Sequence, residues 1–291
     1  MLRVILITFW LSSSFFASSF LFAGTRDPHT PDADYLEFGK KFSSVVRFRA
    51  ATTFKIETGE TVSGFQYGSA AIIRPNWALT AAHLITDLND HAVIADDGTV
   101  YPISATLVPT EFEGDTIGFY DLALCYSPKD FGLKFYTPLY KERDEAGKAI
   151  TIAGYGITGT FNTGCVLSDK QKRAGHNRID RIERAVLVCS PSRGAKRMPL
   201  EFMISPGDSG GGMYIGNELA GINSFLMAVD GHPNGTYTDE SAFTRISLYV
   251  DWIESQIEQY ERALGARATM NSDLNFVVSP LDLMVEDSTA E

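Results

Sequence analysis

From Val45 onward, the chain is a series of short runs rich in β-branched and aromatic residues, separated by turn-forming residues. Residues 45–49 and 93–94 are two such runs, and residues 96–98 mark the turn before residues 101–103. Short strands at regular spacing, with turn signals between them, are typical of a β-barrel or a β-sandwich. Hydrophobic residues make up 44% of the 291-residue chain, which is enough for a sizeable core. We therefore predict an all-β protein.

A helical periodicity follows these strands. Between residues 247 and 264, apolar residues recur along one face, which predicts a C-terminal helix. They are Leu248, Trp252, Ile253, Ile257, Tyr260 and Leu264. Gly265 is expected to cap the end of this helix. Residues 265–291 are predicted to be a tail, with an apolar part that docks on the body and a disordered end at 286–291.

The N-terminus has the pattern of an export signal. Arg3 provides a positive start, and an apolar run at residues 4–11 continues through serine, phenylalanine and alanine residues to Ala23. Cleavage after Ala23 is predicted, with cleavage after Ser19 or an uncleaved membrane anchor as alternatives. We expect a signal peptide at 1–23 and a lead-in segment at 24–39, whose polar, proline-containing part at 25–34 is predicted to be flexible. The protein is then secreted or periplasmic, without stable membrane association after cleavage.

Charge and composition exclude several classes of partner. The formal net charge is −11 and the sequence pI is about 5.0. An acidic chain is poorly suited to nucleic acids and anionic membrane surfaces, so neither is expected as a partner. No cysteine and histidine spacing typical of zinc occurs, and neither a metal nor a cofactor is predicted.

Three short motifs carry candidate chemistry. His83 ends the motif Thr-Ala-Ala-His, Asp121 begins Asp-Leu-Ala-Leu, and Ser209 is central in Gly-Asp-Ser-Gly-Gly. Taken alone, the His83 motif could be a helix start, the Asp121 motif a strand entering the core, and the Ser209 motif a surface turn. Together they provide what a serine nucleophile needs, which is a base that takes its proton and a third group that orients the base.

With histidine, aspartate and serine in this order, the chain resembles the chymotrypsin/trypsin-like serine protease family over about residues 45–257. The flanking segments support the resemblance. Residues 149–156 resemble a family strand that ends in Gly-Trp-Gly, and residues 243–253 resemble the last strand and closing helix. The resemblance implies two six-stranded antiparallel β-barrels, at about residues 40–140 and 145–246, followed by the C-terminal helix at 247–264.

The resemblance also implies roles for individual residues. His83 would act as the general base and later as the general acid, Asp121 would orient its imidazole, and Ser209 would be the nucleophile. The backbone N–H groups of Gly207 and Ser209 would form the oxyanion hole. The active site would lie between the two barrels.

The predicted substrate pocket departs from the trypsin-like pattern. Met203 stands six positions before Ser209, where trypsin-like members have an aspartate, and Ser241 stands opposite. Residues 219–225 resemble the strand that lines the substrate cleft, so Ser224 and Phe225 are assigned to the pocket. Without the aspartate, we predict cleavage after apolar or uncharged residues. Two carboxylates close to Ser241 would change this if they turned inward: Asp239 and Glu240.

The cysteines also differ from the family pattern. Leu84 and Ser205 occupy positions where animal members typically have cysteine. Of the three cysteines present, Cys125 is expected in the core, whereas Cys165 and Cys189 either form a disulfide or stay free.

Zymogen members of the family are activated when cleavage after a basic residue frees an apolar N-terminus. Its ammonium pairs with the aspartate before the catalytic serine, here Asp208. No such segment precedes Val45, so the sequence assigns no partner to Asp208.

These observations favour an exported serine endopeptidase that acts on protein or peptide substrates through an acyl-enzyme. The alternative is a catalytically silent, protease-like binding module. An α/β-hydrolase esterase is disfavoured because its triad follows the order serine, aspartate, histidine. The sequence makes no prediction of the oligomeric state.

Overall fold

The computed structural model describes residues 24–114, 119–167 and 169–273 of the chain. The predicted signal peptide and residues 274–291 of the predicted tail lie outside these described residues. Along the described chain, a short N-terminal segment is followed by two β-barrels and a long helix.

The N-terminal segment is packed against the body, so the expectation that it is flexible is wrong. It forms a short strand, β1 (Thr25–Arg26), and a helix, α1 (Asp32–Gly39). Tyr35 of α1 is fully buried. The Arg173 guanidinium donates two hydrogen bonds to the Asp32 carboxylate, at 2.7 and 2.6 Å. A buried aromatic ring and a bidentate ion pair thus fix a segment whose composition resembles that of a solvated loop.

The first barrel is built from seven strand segments. They are β2 (Val45–Lys55), β3 (Thr61–Arg74), β4 (Trp77–Thr80), β5 (His91–Ile94), β6 (Val100–Ile103), β7 (Ala105–Leu107) and β8 (Ala123–Tyr126). They pair in the antiparallel order β6-β5-β2-β3-β4-β8-β7. The two edge segments, β6 and β7, are separated only by Ser104 and therefore form one bent strand. This bent strand closes the sheet into a six-stranded barrel, as predicted, and removes its open edges.

The second barrel closes in the same way. The segments that follow are β9 (Ala149–Gly154), β10 (Thr158–Thr160), β11 (Gly164–Leu167), β12 (Arg173–Arg178), β13 (Arg181–Glu183), β14 (Val186–Cys189), β15 (Phe202–Met203), β16 (Gly212–Ile215), β17 (Glu218–Ala228) and β18 (Asp239–Arg245). Seven of them pair in the order β12-β9-β16-β17-β18-β14-β13. Only Ile179 and Asp180 separate β12 from β13, so these edges are again one bent strand. The other three form a small sheet with β1, in the order β11-β10-β1-β15.

The apolar cores follow from this closure, because alternate side chains of each strand point into a barrel. The first core contains the fully buried residues Phe48, Leu79, Val93, Leu122 and Leu124. The second contains Ile152, Leu187, Phe202, Met213 and Phe243. Tyr155 and Ile222 belong to the second barrel but pack into the first core, so the barrels share a continuous apolar contact.

The C-terminal helix α2 (Val250–Asp273) follows a 3₁₀ turn at Ile246–Leu248. Its buried residues Ile253 and Ile257 join the core of the first barrel. The predicted helix is confirmed, but α2 continues through Gly265, so the predicted cap there is wrong. The residues Ala-Arg-Ala that follow are strong helix formers and allow the helix to continue. No helix in the described part of the chain is long and apolar enough to cross a membrane.

The three cysteines are all free. Cys125 is buried in β8, as predicted. Cys165 lies in β11 of the small sheet, whereas Cys189 is buried in β14 of the second barrel. The pairing of Cys165 with Cys189 is therefore not formed, since the two residues lie in different sheets.

Candidate active site

The fold brings His83 and Asp121 together at one end of the first barrel. His83 lies in a 3₁₀ turn directly after β4, and Asp121 lies two residues before β8. Since β4 and β8 are neighbours, both residues leave the sheet at the same edge. The Asp121 carboxylate lies 2.9 and 3.1 Å from His83 Nδ1, and its Oδ1 also accepts the His83 backbone N–H at 3.0 Å.

Ser224 joins this pair to Ser209. The Ser224 hydroxyl donates to Asp121 Oδ2, and its carbonyl accepts the Ser209 hydroxyl at 3.4 Å. Ser224 lies in β17 of the second barrel, and Ser209 lies in the loop before β16. The three residues singled out in the sequence are thus part of one cluster that spans both barrels. The contact between Ser224 and Asp121 was not predicted, because it joins residues that are 103 positions apart.

The electrostatics of the cluster depend on Asp121, which is 2% exposed. Burial by itself raises the pKa of this carboxyl, but the hydrogen bonds from His83 and Ser224 outweigh it and hold the pKa below its usual value. Asp121 is therefore an anion at neutral pH and accepts the Nδ1–H of a neutral imidazole. In that tautomer, Nε2 of His83 carries the lone pair and is available as a base.

The loop around Ser209 presents backbone donors. Gly207 and Gly210 have φ angles of +94° and +84°, which favour glycine. The carbonyls of Gly207 and Ser209 are held by Ser69, whose hydroxyl and N–H donate to them at 3.0 and 2.8 Å. In contrast, the N–H groups of Gly207 and Ser209 donate no hydrogen bond within the described part of the chain. Free N–H groups beside the Ser209 hydroxyl are suited to binding an oxyanion.

Ser69 is a residue that the sequence interpretation missed. It is fully buried in β3 of the first barrel. Besides its bonds to the Ser209 loop, its hydroxyl accepts the Tyr155 N–H at 3.1 Å, and its carbonyl accepts the Thr80 hydroxyl at 2.8 Å. A serine in an apolar strand carries no local signal for this role, which arises only where the barrels meet.

Asp208, next to the candidate nucleophile, is fully buried. Its carboxylate accepts the N–H groups of Gly156 at 2.7 Å, of Ser205 at 2.9 Å and of Gly24 at 3.0 Å. The Ser205 hydroxyl adds a contact at 3.1 Å. Burial outweighs these bonds and raises the pKa of Asp208 to about 6. Gly24, which lies 184 residues earlier, is the partner that the sequence did not assign.

Three of the four predicted pocket residues are buried. Met203 and Ser241 are both fully buried, and the Ser241 hydroxyl accepts the Ile204 N–H at 3.1 Å. Ser224 is also buried, whereas Phe225 is partly exposed and can line the cleft.

The two carboxylates near Ser241 are both engaged in hydrogen bonds. Asp239 turns inward and is 1% exposed. Its Oδ2 accepts the N–H groups of residues 234–236, at 2.9, 2.5 and 3.1 Å, and its buried Oδ1 has no partner within the described residues. Glu240 accepts two hydrogen bonds from Arg181, both at 2.7 Å.

The two positions that lack the family's cysteines are filled by other contacts. The Leu84 side chain lies over Gly68 so closely that a Cβ on Gly68 would be 2.4 Å from Leu84 Cδ1. Ser205 is hydrogen-bonded to Asp208 through both its N–H and its hydroxyl. Leu84 therefore contributes apolar packing, and Ser205 contributes hydrogen bonds, at the positions where animal family members have cysteines. No group of histidine, cysteine and acidic side chains in the described ranges could hold a metal ion.

Comparisons with known proteins identify the family of this chain. The family model described as Trypsin matches residues 49–253, which is well over half of the chain. The chain is 24% identical over 216 residues to chymotrypsin-like elastase family member 1 of Rattus norvegicus, covering 64% of this chain and 77% of that protein. It is structurally similar to neuropsin, a serine protease expressed in the limbic system of mouse brain, with a TM-score of 0.57 at 15% identity. That match covers 74% of this chain and 95% of the neuropsin chain, and at this identity it speaks to the fold alone.

Proposed function

Since this chain belongs to the trypsin family of serine proteases, we propose that it is an exported endopeptidase that uses His83, Asp121 and Ser209 as its catalytic triad. The observation that carries the proposal is the hydrogen-bonded cluster in which Ser224 links Ser209 to the Asp121–His83 pair. The predicted signal peptide supports export, and the family supports protein or peptide substrates.

The first half of the reaction forms an acyl-enzyme. Nε2 of His83 takes the proton of the Ser209 hydroxyl as Oγ attacks the carbonyl carbon of the substrate. The oxygen of the tetrahedral intermediate accepts hydrogen bonds from the N–H groups of Gly207 and Ser209. The buried Asp121 anion stabilises the imidazolium, which then protonates the leaving amine as the carbon–nitrogen bond breaks.

The second half regenerates the enzyme. Water enters from the cleft, and His83 takes its proton as the hydroxide attacks the acyl carbon. The tetrahedral intermediate uses the same two N–H donors. The bond to Ser209 Oγ then breaks, Oγ recovers its proton from the imidazolium, and the carboxylic acid product leaves.

The Ser209→Ala variant tests the proposal. Removing the hydroxyl is expected to lower kcat for peptide cleavage by about 10⁴–10⁶-fold without changing the fold. A fluorophosphonate probe should label the natural protein but not the variant. Ser63→Ala is the matched control, because Ser63 is an exposed serine in β3 and should keep both activity and labelling.

The outcomes separate the candidate functions. Cleavage of internal bonds in a protein substrate, lost in Ser209→Ala, supports an endopeptidase. If the natural protein neither reacts with the probe nor cleaves any peptide of a diverse library, the triad is silent and a binding module is the better assignment. Near-normal turnover by Ser209→Ala would contradict the role of Ser209.

A further inference from the structure

A cavity of about 450 Å³ lies where α1 and the two barrels meet. Four cationic side chains of the described residues line it, together with one carboxylate, that of Asp96. The cations are Lys40 directly after α1, Arg47 in β2, and Lys170 and Lys172 in the segment between β11 and β12. The chain as a whole has a formal net charge of −11, so this positively charged cavity is a local exception in an acidic protein.

The carboxylate in the cavity is already compensated. The Lys172 side chain is only 5% exposed, and its ammonium donates a hydrogen bond to Asp96 Oδ2 at 2.7 Å. The Tyr155 hydroxyl donates to the other oxygen of Asp96. Burial and the contact with Asp96 raise the pKa of Tyr155, so its phenol remains a donor. Asp96 therefore has a cation and a hydroxyl of its own and does not neutralise the other charges in the cavity.

Two of the cations have no such partner. Lys172 pairs with Asp96, but no carboxylate of the described residues forms an ion pair with Arg47 or Lys170. Asp169 is next to Lys170 in the sequence, yet its carboxylate accepts two hydrogen bonds from Arg173, at 2.9 and 2.5 Å. Like charges that line one cavity repel each other, and an anion between them removes this repulsion. The cavity is therefore suited to an anionic ligand.

Arg47 is the best-placed of these cations. It lies within β2, where it pairs with Ser69 of β3 on one side and with Ile94 of β5 on the other. Its positive charge acts on the Tyr155 hydroxyl, and this effect opposes the rise in the pKa of Tyr155. The guanidinium thus extends into the cavity from a backbone that is fixed on both sides. Its planar fork can bind two oxygens of a phosphate or a carboxylate.

The number of charges and the volume of the cavity narrow the class of ligand. Two unpaired cations, with Lys40 as a third that it shares with Glu37, favour an anion of more than one charge. A phosphate monoester carries about −1.5 to −2 at pH 7, whereas a carboxylate carries only −1. The volume is in the range of about 300–1,000 Å³ that is typical of sites for small organic molecules. Leu36 and the Tyr155 ring supply apolar surface for an organic group.

We propose that this cavity binds a small phosphate monoester, with Arg47 and Lys170 contacting the phosphate and the organic group packing against Leu36 and Tyr155. The inference goes beyond the proposed function and does not depend on it. The site does share a wall with the support of the Ser209 loop, because the Tyr155 N–H donates to the Ser69 hydroxyl at 3.1 Å. Since both barrels line the cavity, a bound monoester should stabilise the contact between them.

Isothermal titration calorimetry with phenyl phosphate tests the inference, with benzoate as an aromatic anion of single charge and sodium chloride to keep the ionic strength constant. One phenyl phosphate should bind per chain, at least about 10-fold more tightly than benzoate. At about 100 times its Kd, it should raise the melting temperature by about 5 °C or more. Arg47→Gln should weaken binding about 10-fold or more. Lys170→Gln should weaken it by a smaller factor of about 3, because Lys170 is exposed.

Lys55→Gln is the matched control, because Lys55 is exposed at the end of the same strand β2 and lies outside the cavity. It should leave the affinity for phenyl phosphate unchanged. A lack of saturable binding overturns the inference, and so does binding that Lys55→Gln weakens as much as Arg47→Gln and Lys170→Gln do. Because Lys170 lies in an exposed loop, its variant tests the site even if Arg47→Gln does not fold.

Two further comparisons test the class of ligand and the independence from catalysis. Inorganic phosphate that binds as tightly as phenyl phosphate would contradict a site for an organic ester, and benzoate that binds as tightly would contradict a site for phosphate. Ser209→Ala should bind phenyl phosphate with the affinity of the natural protein. If the natural protein cleaves no peptide but binds phenyl phosphate as described, the proposed function fails and the phosphate site stands.

Discussion

At the scale of single residues, the candidate site depends on a buried anion. Asp121 is held by His83 and Ser224, and the hydrogen bonds from these two residues keep its pKa low in spite of burial. A residue with a lowered pKa stabilises the fold fully above its ordinary value of 3.8, and this stabilisation is lost as pH falls through the folded-state value.

This leads to a prediction for Asp121→Asn. The variant should lose about 10⁴-fold in kcat, because an amide cannot hold the imidazole in the required tautomer. It should also be less stable than the natural protein at pH 7, with the difference narrowing below about pH 4. Thermal unfolding from pH 2 to 7 measures this difference. A difference that stays constant over the range would show that Asp121 is not an ionised partner of His83.

Specificity is also decided at the residue scale. We expect cleavage after apolar or uncharged residues, because Met203 stands where an aspartate would attract a cation, while Asp239 and Glu240 are engaged by backbone N–H groups and by Arg181. A cationic side chain would lose its hydration without compensation. Profiling with a peptide library measures the preference. A preference for arginine or lysine that Asp239→Asn removes would contradict the prediction and identify Asp239 as the pocket carboxylate.

At the scale of elements, strand β3 passes directly beneath the Ser209 loop. A Cβ on Gly68 would be 2.4 Å from Leu84 Cδ1 and 2.9 Å from the Ser209 carbonyl oxygen. The leucine can shift, but the backbone carbonyl cannot shift without moving the loop. The contact between β3 and this loop therefore has no space for one additional methyl group.

Gly68→Ala is accordingly expected to cost about 1–3 kcal/mol of unfolding free energy and to reduce kcat. Urea unfolding and initial rates measure the two effects. Gly64→Ala on the same strand is the control, since among the described residues a Cβ there meets only the exposed Phe54 ring, at 3.0 Å. Equal effects of the two substitutions would contradict the close fit of β3 under the loop.

At the scale of the whole molecule, the C-terminal helix α2 packs against the outside of the first barrel. The rings of Trp77 and Tyr260 meet edge-on at 5.3 Å, and Trp77 Nε1 donates to Glu261 Oε1 at 2.9 Å. A buried ion pair also joins the segment between the two barrels to the end of β18. There, the buried Glu145 accepts two hydrogen bonds from Arg245, at 2.8 and 2.7 Å.

We expect Tyr260→Ala to lower the free energy of unfolding by about 3–5 kcal/mol, because it leaves a cavity beside Trp77. Arg262→Ala on the same helix is the control. Among the described residues, Arg262 forms only an exposed ion pair with Glu258, and such pairs contribute about 1 kcal/mol or less. Urea unfolding followed by tryptophan fluorescence measures both. A loss in Tyr260→Ala no larger than that in Arg262→Ala would show that the helix is not needed for stability.

The sequence by itself determined the features that depend on residues close together in the chain. The alternation of short β-rich runs and turns predicted an all-β fold, and three local motifs were enough to single out His83, Asp121 and Ser209. The C-terminal helix was predicted from its periodicity, although Gly265 did not end it, because the neighbouring helix formers outweighed one local signal.

Only the tertiary structure decided which distant groups meet. Ser224 reaches Asp121, Ser69 holds the Ser209 loop, and Gly24 reaches Asp208 across 184 positions. It also decided that Cys165 and Cys189 stay apart. These contacts depend on how two barrels close and pack against each other, which is the sum of many weak interactions between residues far apart in the chain. No local pattern encodes such a sum, so the glycine just before β1 carries no sign of the carboxylate that it meets.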